Sequence, residues 1–275
     1  MKRVITIQDF SCLGRCSLTA ALPVVSAAGV ECCGLPTAVL SNHTGLPGSH
    51  IKDLTDEIKP IGEQLKRLGA GFDAIYTGYI ANAGQMEIIK EFITEFRGRD
   101  TVVFVDPVMG DNGRLYSALT ADYPEKMREL CAMADIITPN ITEACLLLGR
   151  DYGEYDTNEM LNDLMKLGAG TVVITGVEPK TEGVPLTGAA AYDGKRFYEE
   201  YAPKQPVLCT GTGDLFAAAL VGATMRGTGF ERALRAAVSF CAESARLTAA
   251  DPDRREYGVN FEQALSGYME EISKP

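Results

Sequence analysis

The chain has 275 residues, a net charge of −11 and a pI near 4.8, so it lacks the basic surface that nucleic-acid binding depends on. The N-terminal MKRVITIQDF reaches Gln8 and Asp9 too soon for a secretory leader, and no apolar run approaches the roughly 18 residues of a membrane span. Eight cysteines (12, 16, 32, 33, 131, 145, 209 and 241) form no CxxC pair and only two histidines accompany them. This argues against a zinc site and predicts free thiols in a reducing cytoplasm.

Along the chain, VITI (4–7) is a short β-branched run that predicts a strand. SLTAALPVVSAAG predicts a helix closed by Gly29, and a second strand falls near 35–40. DLTDEIKPIGEQLKRLGAG predicts a helix with Pro60 near its start or at a break, followed by the strand DAIYTGY (73–79). QMEIIKEFITEFRG is an amphipathic helix, TVVFVDPVMG a strand and loop, YPEKMRELCAMA a helix and DIITPN a strand and loop. ITEACLLLG and NEMLNDLMKLGAG are helical and TVVITG is a strand. GAAAYDGKRFYEEYAP reads as a hairpin turning at Asp193–Gly194. GTGD then opens a helix, and two more are expected at 230–248 and 259–271.

Strands alternating with helices predict βαβ units and a mostly parallel sheet with helices on both faces. The apolar runs VVFV, DIIT and VVIT suit strands covered on both sides. No linker or charge run marks a boundary, so 1–275 is expected to be one domain. The two LGAG stretches follow a helix and precede a strand. They are helix caps, because a dinucleotide fingerprint needs the strand first.

Ligands of open parallel sheets bind beyond the carboxyl ends of the strands. There the sequence delivers Gln8 and Asp9, then SNHTG (41–45), then Thr77, Gly78 and Tyr79. Asp106 and Asp111 follow in DPVMGD, then Thr138, Asn140 and Glu143, then Thr175 and Gly176, and finally GTGD. Each has a plain structural alternative. Asp214 suits a helix N-cap, Asn140 with Glu143 a capping box, Asp106–Pro107 a turn, and His43 a loop. Their coincidence on one rim suits phosphoryl transfer, which needs phosphate-cradling donors, oxygen ligands for a divalent cation, and a carboxylate beside an alcohol. The glycine loop at a helix start supplies the donors. Asp106 and Glu143 are oxygen ligands of the kind Mg²⁺ takes, and Asp214 could accept the alcohol proton. Neither a Walker A sequence nor a protein-kinase HRD or DFG set is present.

GTGDLFAAAL, DPVMGDNGRLY, IITPNITEA, VVIT, TGY and SNHTG together resemble the pyridoxal kinases of the ribokinase superfamily, in order and over most of the chain. The resemblance implies a ribokinase-like α/β fold without a large lid and ATP-dependent phosphorylation of the 5′-hydroxymethyl group of a vitamin B6 vitamer. It implies Asp214 as base and Gly211, Thr212 and Gly213 as anion hole. Asp106, Thr138, Asn140, Glu143, Thr175, Gly211 and Thr212 fall to the ATP side, with Asp106 and Glu143 at the metal. His43, Thr44 and Tyr79 face the pyridine ring, and Tyr116 lies on a covering loop. Mg²⁺, a helpful monovalent cation such as K⁺, and a homodimer are also implied. Where the family usually has Ser after the first strand, this chain has Asp9, which would favour a cationic vitamer such as pyridoxamine. The 188–203 hairpin is expected over the adenine side. The alternatives are a hydroxymethylpyrimidine kinase, a branch that commonly has Cys where Asp214 stands, a sugar or nucleoside kinase, and a non-catalytic binding protein on the same fold.

Overall fold

The computed structural model describes residues 1–206 and 210–274. Cys209 therefore lies outside the described residues, and the other seven cysteines are free thiols. In chain order the first elements are β1 (Arg3–Ser11), α1 (Ser17–Ala27), β2 (Glu31–Leu40), β3 (Ile51–Asp53), α2 (Thr55–Arg67), β4 (Ala74–Thr77) and α3 (Ala83–Phe96). Then follow β5 (Val102–Val105), β6 (Gly110–Asp111), β7 (Arg114–Leu115), α4 (Tyr123–Cys131), β8 (Ile136–Ile137), α5 (Ile141–Leu148) and α6 (Thr157–Met165). The chain ends with β9 (Thr171–Val177), β10 (Leu186–Tyr192), β11 (Phe197–Pro203), α7 (Thr212–Arg226), α8 (Phe230–Ala250) and α9 (Leu265–Ser273).

A nine-stranded sheet runs β11-β10-β9-β8-β5-β4-β1-β2-β3. From β9 to β2 every pairing is parallel, while β3, β10 and β11 join antiparallel at the edges. The apolar strands alternate between two cores, because successive side chains point to opposite faces. Val4, Tyr76, Phe104, Ile136 and Val173 face α1, α7, α8 and α9. Their neighbours Ile5, Ile75, Val105, Ile137 and Val172 face the layer of α2 to α6. Both faces are covered, and among the described residues no large lid rises over the strand ends. Among the described residues no helix is long and apolar enough to cross a membrane.

Several details differ from the sequence expectation. β1 runs on to Ser11, so Gln8 and Asp9 lie within the strand and not beyond it, and β3 and the β6–β7 pair are not expected from the sequence. Pro60 sits inside α2 without breaking it, since its side of the helix is exposed and water can serve the carbonyl that loses its partner. The last helix starts at Leu265 rather than near 259, because Tyr257, Asn260 and Glu262 are drawn into hydrogen bonds with Arg15, and Asn260 also bonds Thr248 and Asp251. The hairpin centres on Gly194 and Lys195, not on Asp193–Gly194. Tyr192 pairs with Phe197, and the Asp193 carboxylate accepts from the N–H groups of Lys195 (2.9 Å) and Arg196 (2.7 Å).

Candidate active site

The carboxyl ends of the parallel strands open into a cleft of about 840 Å³. Of the residues the sequence places at the strand ends, Asp9, His43, Thr44, Tyr79, Asp106, Tyr116, Thr138, Asn140, Glu143, Thr175, Gly211, Thr212, Gly213 and Asp214 line it, whereas Gln8 and Thr77 are buried away from it and Ser41, Asn42 and Gly78 are not among its lining.

At one end stands the start of α7. Its N-cap is Gly211 at φ +79°, and no side chain caps it. A left-handed residue here favours glycine. Space demands it too, because a Cβ on Gly211 would lie 2.5 Å from the Arg15 carbonyl oxygen. The first free N–H groups of α7 and its positive dipole end are thereby left open for an anion. Asp214 is not the cap but the third residue of the helix. Burial raises its pKa to about 6, the Ser17 N–H opposes that rise, and Asp9 adds to it.

The glycine loop is held from behind. Arg15 ion-pairs with Glu262 (2.8 Å) and donates to Asn260, which in turn donates to Asp251 (2.8 Å). Thr210 donates to the Glu256 carbonyl at 3.1 Å.

The β5 and β8 ends carry the acids. Asp106 is buried and accepts from the Thr138 hydroxyl at 3.2 Å. Burial, then Glu143 and Asp214, push its pKa well above the usual carboxylate range. Glu143 closes a capping box on α5: its Oε2 accepts from the Asn140 N–H (2.9 Å), while Asn140 accepts from the Glu143 N–H (2.9 Å). Its Oε1 accepts from the Met109 N–H at 3.1 Å, so both oxygens are already engaged by backbone. Burial raises its pKa despite these donors. Asn140 also donates to the Gly110 carbonyl (2.9 Å), and Thr175 donates its N–H to Pro139 (2.9 Å). This ties the β6–β7 hairpin to the sheet just before Tyr116, whose phenol is pushed up by burial and by Glu143 and Asp111.

The opposite wall holds Asp9, His43, Thr44 and Tyr79. Asp9 is 5% exposed, and its oxygens accept from Ser17 Oγ (2.6 Å) and Ser11 Oγ (3.1 Å). Burial raises its pKa more than these bonds lower it. His43 Nδ1 accepts from the Gly45 N–H at 3.0 Å, which leaves Nε2 to carry the proton of the neutral ring. Burial lowers the His43 pKa, with Asp9 opposing, and the same burial raises the Tyr79 phenol.

Sequence reasoning missed Ser11, Cys16 and Ser17 in this cleft. Their one signal was the run of small residues in SCLGRCS between β1 and α1. Cys16 lies between Asp9 and Asp214, and burial with those charges pushes its thiol up to about 12, which keeps it neutral and inert. Lys204 is the only Lys or Arg among the lining residues, and it pairs with Glu178.

The sequence profile of the phosphomethylpyrimidine kinase family matches residues 15–260. The pyridoxal kinase of Arabidopsis thaliana is 31% identical over 294 aligned positions, covering 99% of this chain and 92% of its own. A Bacteroides thetaiotaomicron protein with the provisional name phosphomethylpyrimidine kinase, crystallised with pyridoxal, superposes with a TM-score of 0.91 at 38% identity, over 97% of this chain and 95% of that one. Pyridoxal kinase of Leishmania donovani, in complex with ADP and pyridoxamine, superposes with a TM-score of 0.85 at 27% identity, over 100% and 97%. A rim of carboxylates, hydroxyls and one open helix start, on a chain with these relatives, identifies a kinase that belongs to the pyridoxal kinase family.

Proposed function

We propose that this protein transfers the γ-phosphoryl group of ATP to the 5′-hydroxymethyl oxygen of a vitamin B6 vitamer. The observation that carries the reading is the pairing of Asp214 with the uncapped start of α7 in one cleft. With a pKa of about 6, Asp214 is mostly a carboxylate at neutral pH, able to accept the alcohol proton as the new O–P bond forms and ADP leaves. The N–H groups of Gly211, Thr212 and Gly213 stabilise the charge on the moving phosphoryl oxygens. Asn140, Thr138 and Thr175 flank the triphosphate, while Asp9, His43, Thr44, Tyr79 and Tyr116 surround the ring.

Among the described residues no group of three His, Cys, Asp or Glu is arranged as a closed metal cage. An oxygen-only donor set with a buried, under-partnered Asp106 still suits Mg²⁺, which takes one or two carboxylates and completes its shell with water and phosphate oxygens. Asp106 would hold it, with Glu143 behind, and the ion would neutralise phosphate charge. The same reading carries a single domain over 1–275, help from a monovalent cation such as K⁺, and a homodimer.

Pyridoxal, pyridoxamine, pyridoxine and hydroxymethylpyrimidine are to be assayed side by side with ATP and Mg²⁺. Turnover of a B6 vitamer is expected. Turnover of the pyrimidine alone would favour the second reading, which the name of the matched family profile supports. Asp9 is proposed to favour pyridoxamine, because its carboxylate is buried without a cationic partner among its hydrogen bonds.

A further inference from the structure

The loop between β1 and α1 is tied down in two directions. Its first part belongs to β2: Cys12 donates its N–H to the Leu40 carbonyl (2.8 Å), Leu13 to that of Ser41 (3.2 Å), and His43 returns a bond to Leu13 (2.9 Å). Arg15 is turned instead to the far end of the chain. Its N–H donates to the Tyr257 carbonyl at 3.0 Å, and its guanidinium donates to Asn260 and to Glu262 (2.8 Å). The two segments touch at Gly258, φ +143°, where a Cβ would lie 2.4 Å from that of Arg15. Asn260 is 8% exposed and is anchored at the end of α8: its N–H donates to the Thr248 hydroxyl (2.7 Å) and its amide to Asp251 (2.8 Å). The same segment holds the residue before the glycine loop, since Thr210 donates to the Glu256 carbonyl at 3.1 Å. Residues 256–262 thus grip both Thr210 and Arg15, whose carbonyl oxygen is the wall that Gly211 rests on.

We propose that Arg15 is a positioning residue: gripped by residues 256–262, it sets the place of the Gly211–Gly213 cradle and so serves the ATP side of the reaction. The inference rests on the kinase reading of that cradle. Arg15 is not among the residues lining the cleft, so its guanidinium touches no reacting atom. It acts through its backbone, and the side chain fixes where that backbone stands. The planar fork of arginine serves two acceptors at once. Of these the buried Asn260 is the firm anchor, because an exposed ion pair such as that with Glu262 adds little. The vitamer wall has its own ties, through Leu13 to β2 and through Asp9 to Ser11 and Ser17. Loosening Arg15 therefore disturbs one substrate's side and spares the other.

Steady-state kinetics with pyridoxal and ATP are measured on full-length wild type, Arg15→Ala and Thr210→Val. Arg15→Ala is expected to lower kcat roughly tenfold to a hundredfold and to raise the KM for ATP about threefold to tenfold, with the KM for pyridoxal within about twofold. Thr210→Val breaks the second grip at nearly constant side-chain size. It is expected to lower kcat/KM for ATP about threefold to tenfold with the same indifference to pyridoxal, and it tests the clamp even if Arg15→Ala does not fold. The split between the two KM values is the decisive reading, because a merely structural loss removes active enzyme and leaves both unchanged. Arg15→Ala kinetics equal to wild type overturn the proposal. So does a fall in kcat with neither KM altered, an equal rise in both, a rise confined to pyridoxal, or a Thr210→Val protein indistinguishable from wild type. A wild type that turns over no vitamer refutes the kinase reading and this inference together, whereas an active wild type with an equally active Arg15→Ala refutes this inference alone.

Discussion

Two helices begin on the floor of the cleft and treat their free N–H groups in opposite ways. α5 closes its start with its own side chains, Asn140 and Glu143 each accepting from the other's backbone, and Glu143 reaches on to Met109. α7 leaves its start open behind Gly211, and its first-turn acid, Asp214, does not cap it. The closed start commits the N–H groups of Asn140 and Glu143 to its own capping box. The open start keeps its donors and its dipole for a phosphate. Similar first turns thus divide into support and chemistry according to whether the carboxylate satisfies its own helix.

This contrast sets the order of expected effects. Asp214→Asn should lower kcat roughly 10²–10⁴-fold, the usual worth of a positioned general base, and pre-steady-state phosphoryl transfer would show it directly. It should not lower the melting temperature at pH 8. The folded pKa of Asp214 is raised to about 6, so its contribution to stability is present below pH 3.8 and lost as pH rises through 6; asparagine removes that loss. A clear drop in melting temperature would place Asp214 with the support instead.

Gly211→Ala should destabilise by about 2–4 kcal/mol and raise the KM for ATP, because it combines a left-handed φ of +79° with a Cβ 2.5 Å from the Arg15 carbonyl oxygen. Chemical denaturation and ATP titration test the two halves. Glu143→Ala should cost about 2–3 kcal/mol by leaving the N–H groups of Asn140 and Met109 unpaired, while the glycine cradle of α7 stays intact. A wild-type stability with lost activity would show that the closed start serves catalysis directly.

For wild type, kcat/KM should fall below about pH 6 as Asp214 takes up a proton, and a profile flat down to pH 5 would remove it as base. The smallest effect is expected from Asp9→Ser: a shift of about threefold to tenfold in the ratio of kcat/KM for pyridoxamine over pyridoxal. An unchanged ratio would leave Asp9 as an anchor for Ser17 and nothing more.

Much of this was legible in the sequence for a simple reason. Doubly covered strands such as VVFV and VVIT must be apolar throughout, so the polar residue that ends each one stands out, and the fold places those ends together. Asp106, Thr138 and Asn140 stand out that way, and Asp214 by the glycine loop that opens its helix. The β1–α1 loop does not, because nothing in the spacing of Asp9 and Ser17 announces that the Ser17 hydroxyl donates to the Asp9 carboxylate. The start of α9 was misplaced because Phe261, Ala264, Leu265 and Tyr268 are apolar at helical spacing, although the helix itself begins only at Leu265. Pro60 looked like a break because sequence does not say which side of a helix faces water.

The Arg15–Glu262 link has a bearing on how the protein is made. It joins residues 247 positions apart, and through Arg15 it fixes the wall against which Gly211 rests. Contacts of such separation form late, after the intervening chain has been ordered. A ribosome-bound chain lacking its final segment could fold most of the sheet and still have no finished phosphate cradle.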